Sequence, residues 1–293
     1  MPLTSAVSLR QADCKRGGSW YDGQLDSWST SMTTTDLTTD PNNARPVQIA
    51  PETFVIQGHV EVGGAGVMHV NSMLIRGAEP TVVDTGVPVD EDRFLRDLFA
   101  LVDPGDVRWL FLSHDDIDHA GNAAAVLREC PRAMVITTWI AAQRLAVGHS
   151  PLPAQRCRWL DDGGVLDIGD RALVAQRPPL YDAPGTRGLI DTSTNVFWTA
   201  DCFAAYVPVP TADIEGIDLD EWDDGFVRFH QWNHPWLDGI DAGWWQRTIA
   251  RLESRQLAVI ASAHGPALRG RYIQHGIDAL RELPALPLLK PLV

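Results

Sequence analysis

The sequence predicts an α/β domain with two β-sheets buried under helices, preceded by an N-terminal arm. Three observations predict it. Short apolar runs alternate with helix-period segments along most of the chain. No Pro- or Gly-rich linker is long enough to divide that alternation into separate folded units. A length of 293 residues at 45% hydrophobic allows a large core without disulfide staples. The formal charge is −14, from 38 acidic and 24 basic residues. That balance excludes a nucleic-acid partner, whose phosphates are bound by Lys and Arg. Membrane insertion is excluded too, since no apolar run approaches the roughly 20 residues a spanning helix needs. No charged segment followed by an apolar run opens the chain, so no secretory leader is expected. Four scattered cysteines, Cys14, Cys130, Cys157 and Cys202, form no C-x-x-C pair. They read as reduced thiols of a cytoplasmic protein.

Residues 1–46 are rich in Ser, Thr, Asp and Gly and read as an arm, partly docked through Trp20, Tyr21 and Trp28. The folded domain is expected over 47–293. Residues 54–59, 67–75 and 80–84 read as strands, with Gly63-Gly-Ala-Gly66 as a hairpin turn. Apolar spacing predicts a helix over 90–101 with Asp90 as its N-cap. The near-continuous apolar run at 107–112 is a strand covered on both faces. A helix follows from about His119 to Arg128, then a strand at 133–137 and a helix at 139–147. The second half repeats the theme. Strands are expected at 173–175, 188–190, 196–198 and 257–261, and helices at 242–254 and 272–283. Eleven tryptophans are present, and Trp222, Trp232, Trp236, Trp244 and Trp245 crowd into one stretch.

The segment His114-Asp-Asp-Ile-Asp-His119 carries the chemistry. It follows a buried strand and opens a helix, so it projects from the carboxyl end of a sheet, where open α/β folds place ligands. An acidic helix N-terminus would account for its carboxylates through the macrodipole, but not for its two histidines. His114, Asp116, Asp118 and His119 therefore read as metal ligands. Two later strand ends offer partners, Asp201 after 196–200 and His264 after 257–263. Singly, each reads as a cap or a core residue; together with the first segment they supply a coordination sphere.

Four segments resemble the metallo-β-lactamase superfamily, and within it the oxygen-binding di-iron branch that includes the flavodiiron proteins. They are Val70-Asn-Ser-Met-Leu-Ile75 leading to Val83-Asp-Thr-Gly86, the His114–His119 segment, Phe197-Trp-Thr-Ala-Asp201, and Ala263-His-Gly-Pro266. The resemblance covers about residues 47–283. It implies a four-layer αβ/βα sandwich with two mixed β-sheets. It also implies one iron on His114, Asp116 and a second-half histidine, another on Asp118, His119 and His264, and Asp201 bridging them. The carboxylate Asp116, where zinc hydrolases of the superfamily carry histidine, favours iron, although zinc or manganese also suits such donors.

The second-half histidine is absent. Tyr181 falls at its position and Asp182 beside it. Three readings stay open: a Tyr181 phenolate, an Asp182 carboxylate, or a weak or empty first site. His69, His230, His234 and Trp232 are candidates for lining the pocket or orienting ligands. For His230 and His234 the competing reading is a polar loop, because Pro235 disfavours helix at the residue before it. His59, His149 and His275 read as structural.

The resemblance implies a non-haem di-iron protein that binds or activates O2 or NO, using an external electron donor because no flavin domain is fused. A sensor without turnover and a metal-dependent hydrolase are the alternatives. An organic substrate is a further option, and a homodimer is expected. The Trp222–Trp245 stretch is expected to form an aromatic lid that keeps the site dry.

Overall fold

The computed structural model describes residues 45–148 and 150–289. The expected arm, except its last two residues, lies outside them, as do Cys14 and His149. The strands of the first half are β1 (Val47–Ala50), β2 (Thr53–Ile56), β3 (His59–Val62), β4 (Gly66–His69), β5 (Ser72–Ile75), β6 (Thr81–Val83), β7 (Trp109–Phe111), β8 (Met134–Thr137) and β9 (Cys157–Trp159). Those of the second half are β10 (Val165–Asp167), β11 (Ala172–Gln176), β12 (Gly188–Asp191), β13 (Val196–Trp198), β14 (Val259–Ala261) and β15 (Leu268–Arg269). One sheet runs β1-β2-β5-β6-β7-β8-β9, the other β10-β11-β12-β13-β14-β15, and β3-β4 is a separate hairpin. Both sheets are mixed: β6 through β9 pair in parallel, as do β13 and β14, while the other pairs are antiparallel.

Helices α1 (Glu91–Phe99), α2 (Ile117–Ala120), α3 (Ala123–Glu129) and α4 (Trp139–Val147) belong to the first half. Helices α5 (Leu219–Asn233), α6 (Ala242–Glu253) and α7 (Arg271–Glu282) belong to the second. Strand side chains alternate between faces, and that period sorts the core into three layers. Met73, Ile75, Val83, Phe111 and Ile136 of the first sheet meet Leu173, Leu189, Val196, Trp198 and Val259 of the second. Their neighbours Leu74, Val82, Leu110 and Val135 point outward against Phe94, Leu98, Val126 and Leu145 of α1, α3 and α4. On the other side Ile190, Phe197 and Ile260 pack against Trp222, Phe226, Ile249 and Ile277 of α5, α6 and α7. The result is the expected four-layer αβ/βα sandwich.

Several expectations need correction. The run 67–75 is two strands, because Val70 and Asn71 leave the ladder to pair with Gly58 and Ala263. Residues 54–59 divide likewise between β2 and β3. The helix expected from His119 to Arg128 breaks at Gly121–Asn122. Asn122 there donates to the carbonyls of Thr85 and Val87, and a Cβ at Gly121 would stand 2.7 Å from the Gly86 carbonyl oxygen. Asp90 stands at the N-cap of α1 but makes no cap bond; its carboxylate accepts from Arg93 instead.

Helix α5 was not expected from the sequence, and it overturns the polar-loop reading of His230 and His234. The helix persists to Asn233, with His234 as its C-cap, so Pro235 falls just beyond the helix rather than inside it. Both histidines are fully buried. The five tryptophans do not form one lid, because helical spacing turns them to different faces. Trp222 and Trp245 are core residues, Trp232 packs on Tyr206, Trp236 on His234 and Tyr181, and Trp244 is 41% exposed.

Gly225 sets how closely α5 lies on the chain beneath it. A Cβ there would come 1.8 Å from the carbonyl oxygen of Tyr206. Backbone cannot retreat like a flexible side chain, so Gly225→Ala is expected to destabilise by at least the 1–3 kcal/mol, roughly, of ordinary overpacking. Thermal unfolding of the variant checks this; an unchanged midpoint would contradict the close approach.

Candidate metal centre

The candidate ligands lie at carboxyl ends of strands in both sheets. Ser113 and His114 follow β7, Asp84 follows β6, Asp201 follows β13, and His264 follows β14. The backbone is strained where it turns into the site. Asp84 and Ala200 have φ of 54° and 51°, a left-handed conformation uncommon outside glycine. Asn71 joins the halves. Its amide donates to the carbonyls of Ser262 and Gly265, on either side of His264.

Three groups of donor atoms result, each with all its atoms within 4.8 Å of one another: His114, His119 and Asp201; Asp118, His119 and His264; and His114, Asp116 and Asp182. They share members, so they form one continuous set. Asp201 stands between its two halves. Its Oδ2 lies 3.5 Å from His114 Nε2, while its Oδ1 lies 2.9 Å from His119 Nε2 and 3.3 Å from His264 Nε2.

Each histidine is fixed through its other nitrogen. His119 Nδ1 lies 3.0 Å from Asp84 Oδ2, His264 Nδ1 lies 2.7 Å from the His69 carbonyl oxygen, and His114 Nδ1 lies 3.1 Å from Ser113 Oγ. A ring whose Nδ1–H is spent on such an acceptor presents a bare Nε2 lone pair, the form that ligates metals. The Nε2 atoms of His119 and His264 face each other at 3.2 Å. His114 Nε2 is buried and finds no hydrogen-bond partner among the described residues.

Asp84, whose role the sequence does not reveal, is the hub behind the candidate ligands. Its carboxylate is fully buried and accepts from the Ser113 N–H, the Ser113 hydroxyl, Trp198 Nε1 and His119 Nδ1. Burial pushes its pKa up, but His119 and the Ser113 amide outweigh that and hold it below the usual value. Asp201 behaves alike: burial raises it, and the imidazoles of His114 and His119 bring it well below the usual range. Burial is the main reason that Asp116 rises to about 6, with His114 opposing and the nearby carboxylates adding to the rise. Burial lowers His119, yet Asp201, Asp118 and Asp84 together carry it well above an ordinary histidine.

The other candidates lie around this set. Asp182 is inside it, with Oδ1 3.9 Å from His114 Nε2. The Tyr181 ring instead packs under the Arg177 guanidinium at 4.8 Å and beside Trp236 at 6.2 Å. It borders a surface pocket of about 370 Å³ with Trp244 and Arg251. His69 stands behind His264; its Nε2 accepts from the Thr211 N–H, and burial lowers its pKa to about 4. His230 is held by the rings of Phe226 and Phe229, and the Phe229 ring is 5.5 Å from that of His264. His275, expected to be structural, pairs with Asp223 at 2.7 Å.

The donors fit a pair of divalent cations. Four carboxylates, Asp116, Asp118, Asp182 and Asp201, converge with three histidines. Like charges at this spacing, several of them half or fully buried, are costly unless a cation neutralises them. The orphaned Nε2 of His114 points to the same answer.

Comparison with known proteins agrees with the fold. The family profile of the metallo-beta-lactamase superfamily matches residues 65–133. Over 250 residues the chain is 29% identical to a putative diflavin flavoprotein A 2 of Nostoc sp., covering 80% of this chain and 40% of that protein. It is 26% identical over 137 residues to an anaerobic nitric oxide reductase flavorubredoxin of Pectobacterium atrosepticum, covering 46% and 27%. The structure superposes on rubredoxin oxygen:oxidoreductase from Desulfovibrio gigas with a TM-score of 0.72 at 17% identity, covering 82% of this chain and 62% of that one. The chain thus spans about two-fifths or less of these curated relatives. Residues 65–133 match a metallo-β-lactamase domain, and the similarities named above, in sequence and in structure, are to flavodiiron homologues.

Proposed function

We propose that this domain is the metal-bearing part of a non-haem di-iron oxidoreductase acting on O2 or NO, with electrons delivered from outside the domain. One observation carries the reading: the two oxygens of Asp201 face opposite halves of the donor set. In this reading His114, Asp116 and Asp182 hold one ion, and Asp118, His119 and His264 the other, with Asp201 common to both. An iron pair so held supplies redox electrons and open positions for a diatomic ligand. Hard carboxylates outnumber imidazoles, which favours iron over a histidine-rich zinc site. The named relatives include a nitric oxide reductase, which supports this class over a hydrolase.

The chain's own residues do the positioning. Asp84, Ser113 and the His69 carbonyl hold the three imidazoles in one tautomer and orientation. Such supporting partners are worth roughly 10–100-fold in metal affinity or activity. The rings of Phe229 and Trp198 and the buried end of α5 restrict water around the donors. Among the described residues no helix is long and apolar enough to cross a membrane. The proposed assembly is a homodimer served by a separate donor.

The test is turnover. Protein loaded anaerobically with ferrous iron and given an artificial reductant should consume O2 or NO in excess of its iron content. Purification with zinc and hydrolysis of a thioester or lactone would sink the reading. Stoichiometric uptake without turnover would select the sensor alternative. Within the first site, Asp182→Ala should weaken one ion at least tenfold, whereas Tyr181→Phe should leave both in place. Retention of both ions by Asp182→Ala, seen by elemental analysis after desalting, would return the assignment to Tyr181.

A further inference from the structure

We infer that His234, the C-cap of α5, supplies a second nitrogen ligand to the ion held by His114, Asp116 and Asp182. The inference rests on the di-iron reading and extends it to a residue outside the three compact donor groups. Those groups differ in kind. The Asp118, His119 and His264 group offers two imidazoles, whereas the His114, Asp116 and Asp182 group offers one. Its Asp182 is exposed, and its Asp116 is only partly buried.

His234 carries the same signature as the three histidines in the donor set. Its Nδ1 lies 3.1 Å from the His230 carbonyl oxygen, so the Nδ1–H is spent there and Nε2 presents its lone pair. That Nε2 is buried and finds no hydrogen-bond partner among the described residues, and the residue as a whole is 0% exposed. A bare lone pair in a closed environment is costly unless an electrophile meets it. The carboxylates that act on this ring are Asp201 and Asp182, one from the bridge and one from the nitrogen-poor group. Contact geometry leads the same way: His234 packs edge-on to Trp236 at 5.6 Å, and Trp236 packs on Tyr181, the neighbour of Asp182.

His230 is the internal control. It is equally buried and its ring is 5.3 Å from that of His234, but both its nitrogens lack partners among the described residues. Nothing fixes its tautomer, so it lacks the ligand signature. Because His234 Nε2 is outside the compact groups, ligation brings it and Asp182 together. Of the two, Asp182 is the exposed one and His234 the buried one.

The experiment compares metal content in full-length wild type, His234→Gly, His234→Asn and His230→Phe, each loaded anaerobically with ferrous iron, desalted and checked for folding by circular dichroism. Wild type and His230→Phe should retain two irons per chain, and both His234 variants one. Imidazole added during loading should restore the second iron to His234→Gly, which a packing role would not do. Two irons in folded His234 variants would overturn the inference while leaving the di-iron reading intact. Loss of iron from His230→Phe as well, or no rescue by imidazole, would also overturn it, since the loss would then follow from the helix end. Fewer than two irons in wild type would overturn the reading beneath it, and the inference with it.

Discussion

Asp201→Ala should strip both ions from the chain, because its two oxygens face the two halves of the donor set. Removal of any other ligand should weaken one ion selectively. The affinity loss should exceed the roughly 10–100-fold expected for losing a supporting partner, since Asp201 is itself a proposed ligand. Without metal, the variant leaves His119 and His264 facing each other with only the Asp118 carboxylate beside them. Elemental analysis and calorimetric titration with ferrous iron give the readout. A variant that kept one ion at near wild-type affinity would show that Asp201 serves a single site.

Asp84→Ala should be the most damaging substitution for the fold itself. Four donors converge on this one buried carboxylate, from Ser113, Trp198 and His119. Breaking a buried charge network from one side costs roughly 3–5 kcal/mol. For a domain of this size that is a fall of about 6–20 °C in melting temperature. The affinity of the ion on His119 should fall as well, because the ring loses the acceptor that fixes its tautomer. Asp84→Asn keeps the shape and an acceptor for the Ser113 amide, so it should fall between Asp84→Ala and wild type. Unaltered melting of Asp84→Ala would mean that the network is not under the load its burial implies.

Strand and helix periods were enough to read the sandwich, because a sheet covered on both faces leaves continuous apolar runs such as 107–112. The breaks were not legible. Whether 67–75 is one strand or two depends on Asn71 pairing with Ala263, a contact nearly two hundred positions away. Helix α5 had its signal in Trp222, Phe226 and Phe229 at helical spacing, but Gly225 and the flanking acids obscured it. Gly225 is explained only by the carbonyl of Tyr206 beneath it. The candidate ligands were legible because strand ends deliver them to one place. Asp84 was not, since a carboxylate that accepts from four donors looks in sequence like any strand-terminal Asp. Tyr181 and Asp182 could not be separated from sequence either, because adjacent residues differ only in which way the loop turns them. The structure turns Tyr181 toward Arg177 and Trp236, and Asp182 toward His114.

The most direct test is Mössbauer spectroscopy of the full chain loaded anaerobically with enriched ferrous iron, combined with an iron count. Two irons per chain, becoming a magnetically coupled ferric pair on exposure to air, is the expected result if Asp201 joins the two sites as proposed. A single iron, two uncoupled irons, or zinc retained in preference to iron would contradict a bridged di-iron centre built on Asp201.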